Sequence, residues 1–458
     1  MTAATPGGTE SAHGPEPRAG GGPAAEEPAA YGTAEGARGE SHEATYAQDL
    51  LELVETLLPG TVRQPGFLVR AAYRVPGPVD ERILRQALDD VVARHGALRT
   101  LLLHEDGALR QRVLPPMPAR LTVGLLAPGE SADDWIAEVT TRPHPSDEPP
   151  LLWAYLGRRD DAEAVLVLVA HHIAADAWSQ DVLERDLAAA YTARLHGRGP
   201  LPVDVMQYAD IAVEDRSDKW QARIGEALPY WRERLTGAEG LGLPAETPDA
   251  APGPTAVHPF RIDAGLRDAV RDAARRGRTT PFTLLLTAFV GALLPPGDAM
   301  VPVITAGRIP SEWQTVGFLL NVLQIRVDNP GPGNLAELRP RVDQRCREAY
   351  ANDIPLIPVL RENPQLLARM TARDRVAPAF QMIVRPPARA AREPAALALE
   401  RLPLDTQPPL PIPLPFLWTM RWDDEPGGYV TYDAHLFGPA WMERAVESYL
   451  GALTELAR

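Results

Sequence analysis

The sequence predicts an α/β fold in two halves, and three observations lead to this prediction. The 458 residues exceed the usual size of a single hydrophobic core, so two domains are expected. Apolar runs of strand length alternate with segments of helical period along the chain. A Pro- and Gly-rich interval at residues 241–254 separates one alternating region from the next.

The first half is predicted to contain a tail and an N-terminal lobe. Residues 1–42 are rich in Gly, Ala, Pro, Glu and Thr without apolar periodicity, so they are expected to be a disordered tail. The lobe spans residues 43–216. A strand is expected at residues 67–75, a helix at 80–95 and a strand buried on both faces at 164–170.

The second half, residues 217–458, is predicted to form a C-terminal lobe of the same style. The expected elements are helices at residues 220–235, 266–276 and 281–294, and a strand at 300–305. The Pro-rich run 408–415 cannot be a central strand and is assigned to a crossover segment that bridges the lobes.

Two adjacent histidines end the buried strand of the first half. His171 and His172 point to opposite faces if the strand continues through them, so one imidazole can perform chemistry while the other packs. An amphipathic helix is expected to begin near Ala177, with Asp176 as its cap. On these residues alone, a satisfied core histidine is the favoured interpretation of His172, and Asp176 can be a plain helix cap with or without a further role.

Composition and charge limit the classes of partner. The net charge of −15 argues against nucleic acid, because phosphate binding needs a basic surface. No apolar stretch reaches membrane-spanning length and no signal segment begins the chain, so a cytoplasmic enzyme without a membrane partner is expected. The single cysteine, Cys346, rules out an internal disulfide and is expected to pack in a helix. No metal site is expected, since the histidine pair diverges and lacks a nearby third ligand.

The spacing of His171, His172 and Asp176, HHxxxD followed by a small residue and Trp-Ser, resembles the active-site motif of condensation domains. These domains belong to nonribosomal peptide synthetases, within the chloramphenicol-acetyltransferase-like superfamily. Other motifs of the family occur in the family's order and extend the resemblance over residues 45–458. They lie at residues 45–48, 94–100, 208–213, 230–235, 280–283, 306–308 and 316–321.

The resemblance implies an α+β sandwich fold: two chloramphenicol-acetyltransferase-like lobes form a V-shaped pseudo-dimer around a tunnel. It also implies a stand-alone condensation enzyme of natural-product biosynthesis. Such an enzyme joins an acyl thioester, held on the phosphopantetheine arm of a separate acyl or peptidyl carrier protein, to an amine or alcohol. The acceptor is a small molecule or is carrier-bound, the product is an amide or an ester, and no bound cofactor is expected.

The resemblance also assigns the site. His172 and Asp176 are assigned as the catalytic pair, with His172 either as a base or as the group that orients the nucleophile and stabilises the charged intermediate. Asp176 is mainly structural and pairs with Arg308, because a buried carboxylate without a partner would be costly. His171 packs or orients. Arg99 and Asn321 are supporting residues by their places in the other motifs.

The chain departs from the family pattern at three places. Ala177 replaces a Gly and narrows the site if that Gly allows the substrate to approach the backbone. Residues 352–356 stand where the family often has an HxDxPFE segment, so its His, Phe and Glu are replaced. Residues 415–417 lack the Asp that is usual in the family's late FDL-like segment. These departures suggest an unusual substrate or a relaxed acceptor arrangement.

Three alternatives stay open beside the condensation enzyme: a coenzyme A-dependent acyltransferase of the same superfamily, a non-catalytic docking domain of a peptide synthetase, and an epimerase-like relative.

Overall fold

Two large β-sheets form the framework of the chain. The computed structural model describes residues 39–127, 129–159, 163–238, 241–370, 372–386, 395–402, 414–422 and 426–458. Residues 1–38 of the predicted tail and residues 408–413 of the predicted crossover at 408–415 lie outside the described residues.

The strands, in chain order, are β1 Glu40–Glu43, β2 Leu68–Pro76, β3 Thr100–Glu105, β4 Ala108–Val113, β5 Arg120–Leu125, β6 Leu152–Arg158, β7 Glu163–His171, β8 Leu243–Pro244, β9 Thr255–Arg261, β10 Gly297–Thr305, β11 Asn321–Asn329, β12 Arg375–Val376, β13 Ala379–Ile383, β14 Glu400–Leu402, β15 Phe416–Arg421 and β16 Gly427–Asp433.

The helices, in chain order, are α1 Tyr46–Leu57, α2 Glu81–Arg94, α3 Ala132–Thr140, α4 Ala177–Leu195, α5 Tyr208–Asp215, α6 Asp218–Leu235, α7 Ala264–Arg276, α8 Pro281–Leu293, α9 Leu335–Ala351, α10 Leu356–Glu362, α11 Gln365–Met370 and α12 Pro439–Ala457. Short 3₁₀ turns occupy Gly96–Arg99 and Pro310–Glu312.

The first sheet has the strand order β14-β2-β7-β6-β5. Its central strand, β7, is buried over its last eight residues, as the continuous apolar run predicts. β2 and β7 pair antiparallel with Leu68 opposite His171, so the end of β7 meets the start of β2. Helices α2 and α4 cover one face of this sheet. β14 comes from the C-terminal part of the chain, so the sheet joins distant segments.

The second sheet has the order β11-β10-β13-β15-β16-β9. Helices α7, α8, α9 and α12 form the helical layer beside it. β10 pairs with β11 in antiparallel register from Gly297 opposite Asn329 to Thr305 opposite Asn321. The loop of this hairpin, residues 306–320, hydrogen-bonds to Asp176 at the start of α4, beside the first sheet.

Helix and strand positions follow the sequence prediction closely. The helix predicted near Ala177 begins there, and the Asp176 side chain accepts a hydrogen bond from the Ser179 N–H as its N-cap. Residues 40–42, which the prediction included in the tail, belong to an edge strand, because Glu40–Glu43 pairs with β4. Backbone pairing orders these residues although their side chains are polar.

The described part of the chain from residue 39 onward forms one compact unit, and a division at residues 216 and 217 stays a prediction. None of the helices within the described ranges has both the length and the apolar character to cross a bilayer.

Candidate active site

His171 is a packing residue at the end of β7. Its side chain is fully buried. Nε2 donates to the Gln64 carbonyl at 3.2 Å, and Nδ1 accepts from the Ile173 N–H at 3.3 Å. Burial lowers the pKa of His171 to about 4. With both ring nitrogens engaged and the ring neutral, His171 holds the turn after β7.

His172 lies one residue further on and lines a large cavity. Its ring stacks on Phe67, with centroids 4.8 Å apart, and meets the edge of Phe318 at 5.2 Å. Nδ1 lies 2.7 Å from the Ala175 carbonyl. Because a carbonyl oxygen can only accept, Nδ1 carries the proton and the neutral ring keeps its lone pair on Nε2. Burial lowers the pKa of His172, although the Ala175 carbonyl and Asp176 oppose the shift.

Asp176 and Arg308 form a buried ion pair. Arg308 Nη1 lies 2.6 Å from Asp176 Oδ2, and Arg308 Nη2 lies 2.9 Å from Oδ1. The Ser179 N–H and hydroxyl also donate to Oδ1, and the Leu319 N–H donates to Oδ2 at 3.1 Å. Burial alone would raise the pKa of Asp176, but the charge of Arg308 and these hydrogen bonds hold it below its usual value. Asp176 is therefore both helix cap and ion-pair partner.

The cavity beside His172 has a volume of about 1020 Å³. Ala177 is exposed on its wall, so its methyl group occupies space that a glycine would leave open. One group of lining residues is apolar and comes from α1, from the segment between α1 and β2, and from the α10–α11 region: Leu50, Leu51, Val54, Val62, Phe67, Leu356 and Leu366. The charged lining residues are Arg70, Arg271, Arg308, Arg369, Arg385, Arg401, Arg421, Asp176 and Asp181.

Arg99 and Asn321 lie outside the cavity lining. Arg99 donates to the backbone carbonyls of Val92, Ala93 and Leu114, which ties the end of α2 to the residue that follows β4. In this structure Arg99 therefore holds these two backbone segments together.

Asn321 joins the start of β11 to the segment that departs from the family pattern. Its Nδ2 donates to Asp353 Oδ1 and to the Ile354 carbonyl, both at 2.8 Å. Its Oδ1 accepts from the Leu356 N–H at 3.0 Å. Leu356 is thereby placed on the cavity wall.

Sequence reasoning did not identify the residues that hold His172. Phe67 and Phe318 enclose its ring, and Tyr208 hydrogen-bonds the backbone of Phe318. Phe318 and Tyr208 both lie in recognised motifs, but those motifs contain no sign of contact with a histidine more than 30 residues away. Among the residues that the structure describes, His, Cys, Asp and Glu do not cluster in threes suited to a metal ion.

Known proteins resemble this chain over most of its length. A family model described as Condensation domain matches residues 61–371. The chain is 33% identical over 424 residues to phosphinothricin tripeptide synthetase PhsC of Streptomyces viridochromogenes, covering 88% of this chain and 38% of that protein. It is 35% identical over 317 residues to isonitrile lipopeptide synthase of Mycobacterium tuberculosis, covering 64% of this chain and 12% of that protein. The chain thus spans well under half the length of either relative.

Solved structures have the same fold. The SgcC5 protein of Streptomyces globisporus superimposes with a TM-score of 0.79 and 31% identity, over 91% of this chain and 98% of that one. The X-domain from teicoplanin biosynthesis gives a TM-score of 0.73 and 25% identity, over 92% of this chain and 96% of that one.

Proposed function

Because the chain belongs to the condensation-domain family, we propose that it is an acyltransferase that joins a carrier-bound acyl thioester to an amine or alcohol. The acyl group would arrive on the phosphopantetheine arm of a separate carrier protein, and the chain would act as a stand-alone enzyme. The observation that carries this proposal is the His172 ring on the cavity wall, with its proton on Nδ1 and its lone pair on Nε2.

The reaction needs one proton to be moved. The acceptor nitrogen or oxygen attacks the thioester carbonyl carbon, the carbon–sulfur bond breaks, and an amide or ester bond forms. His172 Nε2 takes the proton from the acceptor and returns it to the leaving thiolate. The lowered pKa keeps the imidazole neutral near pH 7, so the base is present in the required form.

The cavity lining supports substrates of mixed character. Among the described lining residues, arginines outnumber carboxylates by seven to two, and two of the arginines pair with these carboxylates, Arg308 with Asp176 and Arg401 with Asp181. A lining rich in arginine supports binding of the phosphate of a phosphopantetheine arm. The apolar wall from α1 and the α10–α11 region suits a hydrocarbon or aromatic group. SgcC5 was solved with (R)-(-)-1-(2-naphthyl)-1,2-ethanediol, an aromatic diol, which favours including alcohols among the acceptors.

A docking role is the second candidate. The X-domain, a 25% identical relative, forms a complex with OxyB, another protein of teicoplanin biosynthesis. The neutral His172 and the fully hydrogen-bonded Asp176 carboxylate favour catalysis over docking in this chain.

The test supplies purified protein with acyl carrier-protein thioesters, or with acyl-coenzyme A in a parallel arm, and a panel of amines and alcohols. Products are identified by mass spectrometry. We expect the parent to form product from the carrier thioester and His172→Ala to be at least about 100-fold slower, the usual contribution of a positioned base. The control is His196→Ala, because His196 is exposed at the end of α4 and outside the cavity.

Equal rates for His172→Ala and the parent would contradict the role of His172. Product from acyl-coenzyme A alone would identify the superfamily alternative. Absence of product from every donor, together with stable binding of a partner enzyme, would favour docking.

A further inference from the structure

Tyr208, the first residue of α5, has no part in the proton transfer described above, yet its hydroxyl contacts the backbone of Phe318, whose ring meets His172. The side chain is buried, with 2% of its surface exposed. The hydroxyl donates to the Phe318 carbonyl, which can only accept. The Thr45 hydroxyl, 3.0 Å away, must then donate to the Tyr208 oxygen. A directed chain of two hydrogen bonds therefore runs from the N-cap of α1 to the backbone of Phe318.

The ring of Tyr208 holds the same backbone from a second direction. A Cβ atom at Gly317 would lie 2.7 Å from Cδ2 of Tyr208, which is too close for any side chain. The ring thus packs directly against the backbone of Gly317 while the hydroxyl binds the carbonyl of the next residue.

The backbone on either side of Phe318 is anchored to the motif that carries Asp176. The Gly317 N–H donates to Ser179 Oγ at 3.1 Å, and the Leu319 N–H donates to Asp176 Oδ2 at 3.1 Å. The Phe318 carbonyl is the third anchor, and Tyr208 supplies its donor. The Phe318 ring between these anchors is the one that meets the edge of His172.

We propose that Tyr208 is a positioning residue for His172 that acts through Phe318. The hydroxyl fixes the Phe318 backbone, and the Phe318 ring keeps the imidazole against Phe67 with Nδ1 toward the Ala175 carbonyl. Nε2 then stays available on the cavity wall. The effect on catalysis rests on the proposed function of His172, whereas the effect on the ring itself does not.

Removal of the hydroxyl has a defined consequence for the imidazole. A Phe318 ring that is no longer anchored admits water beside His172, so the burial that lowers the pKa of His172 is reduced. The ionisable groups that act on this ring are Asp176 and His171, and Arg308 neutralises Asp176. None of them is altered in Tyr208→Phe, so the pKa of His172 should rise toward its ordinary value.

The test compares Tyr208→Phe with Tyr191→Phe. Tyr191 is a control of similar burial: it is 4% exposed, and its hydroxyl accepts from the Asp80 N–H at 2.9 Å, so Tyr191→Phe loses this hydrogen bond, whereas Tyr208→Phe loses those to Thr45 and Phe318. For Tyr208→Phe we expect kcat to fall about tenfold with an acceptor KM within about twofold of the parent, as for a misplaced base. NMR titration of the His172 ring, assigned with His172→Ala, should show a higher pKa in Tyr208→Phe and an unchanged pKa in Tyr191→Phe.

An unchanged His172 pKa in folded Tyr208→Phe would overturn the proposal, as would equal shifts in both variants. If Tyr208→Phe does not fold, Thr45→Val removes the donor that orients the Tyr208 hydroxyl, and the same rise in pKa is expected; its absence would overturn the proposal. If His172→Ala is fully active while Tyr208→Phe still shifts the pKa, the proposed function fails and the positioning role stands.

Discussion

At the scale of single residues, the most tightly constrained group is the carboxylate of Asp176. The Asp176 and Arg308 side chains are only 7% and 1% exposed. Such a pair is stable only if its oxygens and donors find further partners, because desolvation of two charges is expensive. Ser179 and Leu319 supply those partners for Asp176, so the pair links the start of α4 to the 306–320 loop.

We predict that Arg308→Met lowers the free energy of unfolding by about 3–5 kcal/mol, because it leaves a buried carboxylate without a counter-charge. Urea denaturation at pH 7 measures this loss. Arg275→Met is the control, because Arg275 pairs with Asp272 on an exposed helix surface, and its removal should cost less than about 1 kcal/mol. Similar losses in the two variants would show that Asp176 does not depend on Arg308.

The stabilisation from this pair should also depend on pH. The pKa of Asp176 is lower in the folded protein than in the unfolded chain, so its contribution is present above about pH 4. It is lost as the pH falls through the folded value. The difference between the parent and Arg308→Met should therefore shrink in acid.

At the scale of elements, the site depends on the 306–320 loop between β10 and β11. This loop carries Arg308 to Asp176 and Phe318 to His172. Its path includes a tight approach at Gly307, which has φ +59° and where a Cβ atom would lie 1.8 Å from the Leu319 carbonyl oxygen. Only glycine allows both the left-handed backbone and this contact.

We predict that Gly307→Ala lowers the free energy of unfolding by more than about 3 kcal/mol and greatly reduces activity, because the loop must move. The matched control is Gly297→Ala: Gly297 also has positive φ, +97°, but a Cβ atom there meets nothing within 4 Å. Gly297→Ala should lower the free energy of unfolding by only about 1–2 kcal/mol, the cost of backbone strain alone. Denaturation curves of both variants provide the measurement, and equal losses would show that the contact with Leu319 is unimportant.

At the scale of the whole molecule, buried neutral histidines make stability depend on pH. His144 is fully buried, with Nε2 2.8 Å from the Tyr155 hydroxyl, and burial lowers its pKa to about 4, as it does for His171. The unfolded chain binds protons at these sites near pH 6.5, whereas the folded protein does not until about pH 4. Their stabilising contribution is thus complete above about pH 6.5 and is lost between about pH 6.5 and pH 4.

We predict that the free energy of unfolding falls below about pH 6.5 by up to about 1.4 kcal/mol per pH unit for each of these histidines. His144→Gln should reduce that slope by one histidine's share, as measured by urea denaturation from about pH 7.5 to about pH 5. Asp215 works in the opposite direction, because burial raises its pKa to about 6 and the folded protein takes up a proton there. Asp215→Asn should therefore steepen the acid loss, and a slope unchanged by both variants would contradict the assignment.

Much of the local structure could be predicted from neighbouring residues. The apolar run before His171 predicts a doubly buried strand, and β7 is the central strand of its sheet. Asp176 predicts a helix start, and the helix predicted from residue 281 begins there too; the Asp176 and Thr280 side chains each accept a capping hydrogen bond from the N–H three residues ahead. The burial of polar residues could not be predicted in this way, because nothing in the sequence around His144 distinguishes it from an exposed loop histidine.

The sequence by itself determined the α/β pattern, the helix starts and the place of the histidine pair, since these depend on periodicity and on side chains within about four residues. The tertiary structure decided what surrounds His172. Arg308 reaches Asp176 across 132 residues of sequence, and Tyr208 reaches Phe318 across 110. Such contacts depend on sheet register and on the path of the 306–320 loop, which no local pattern encodes.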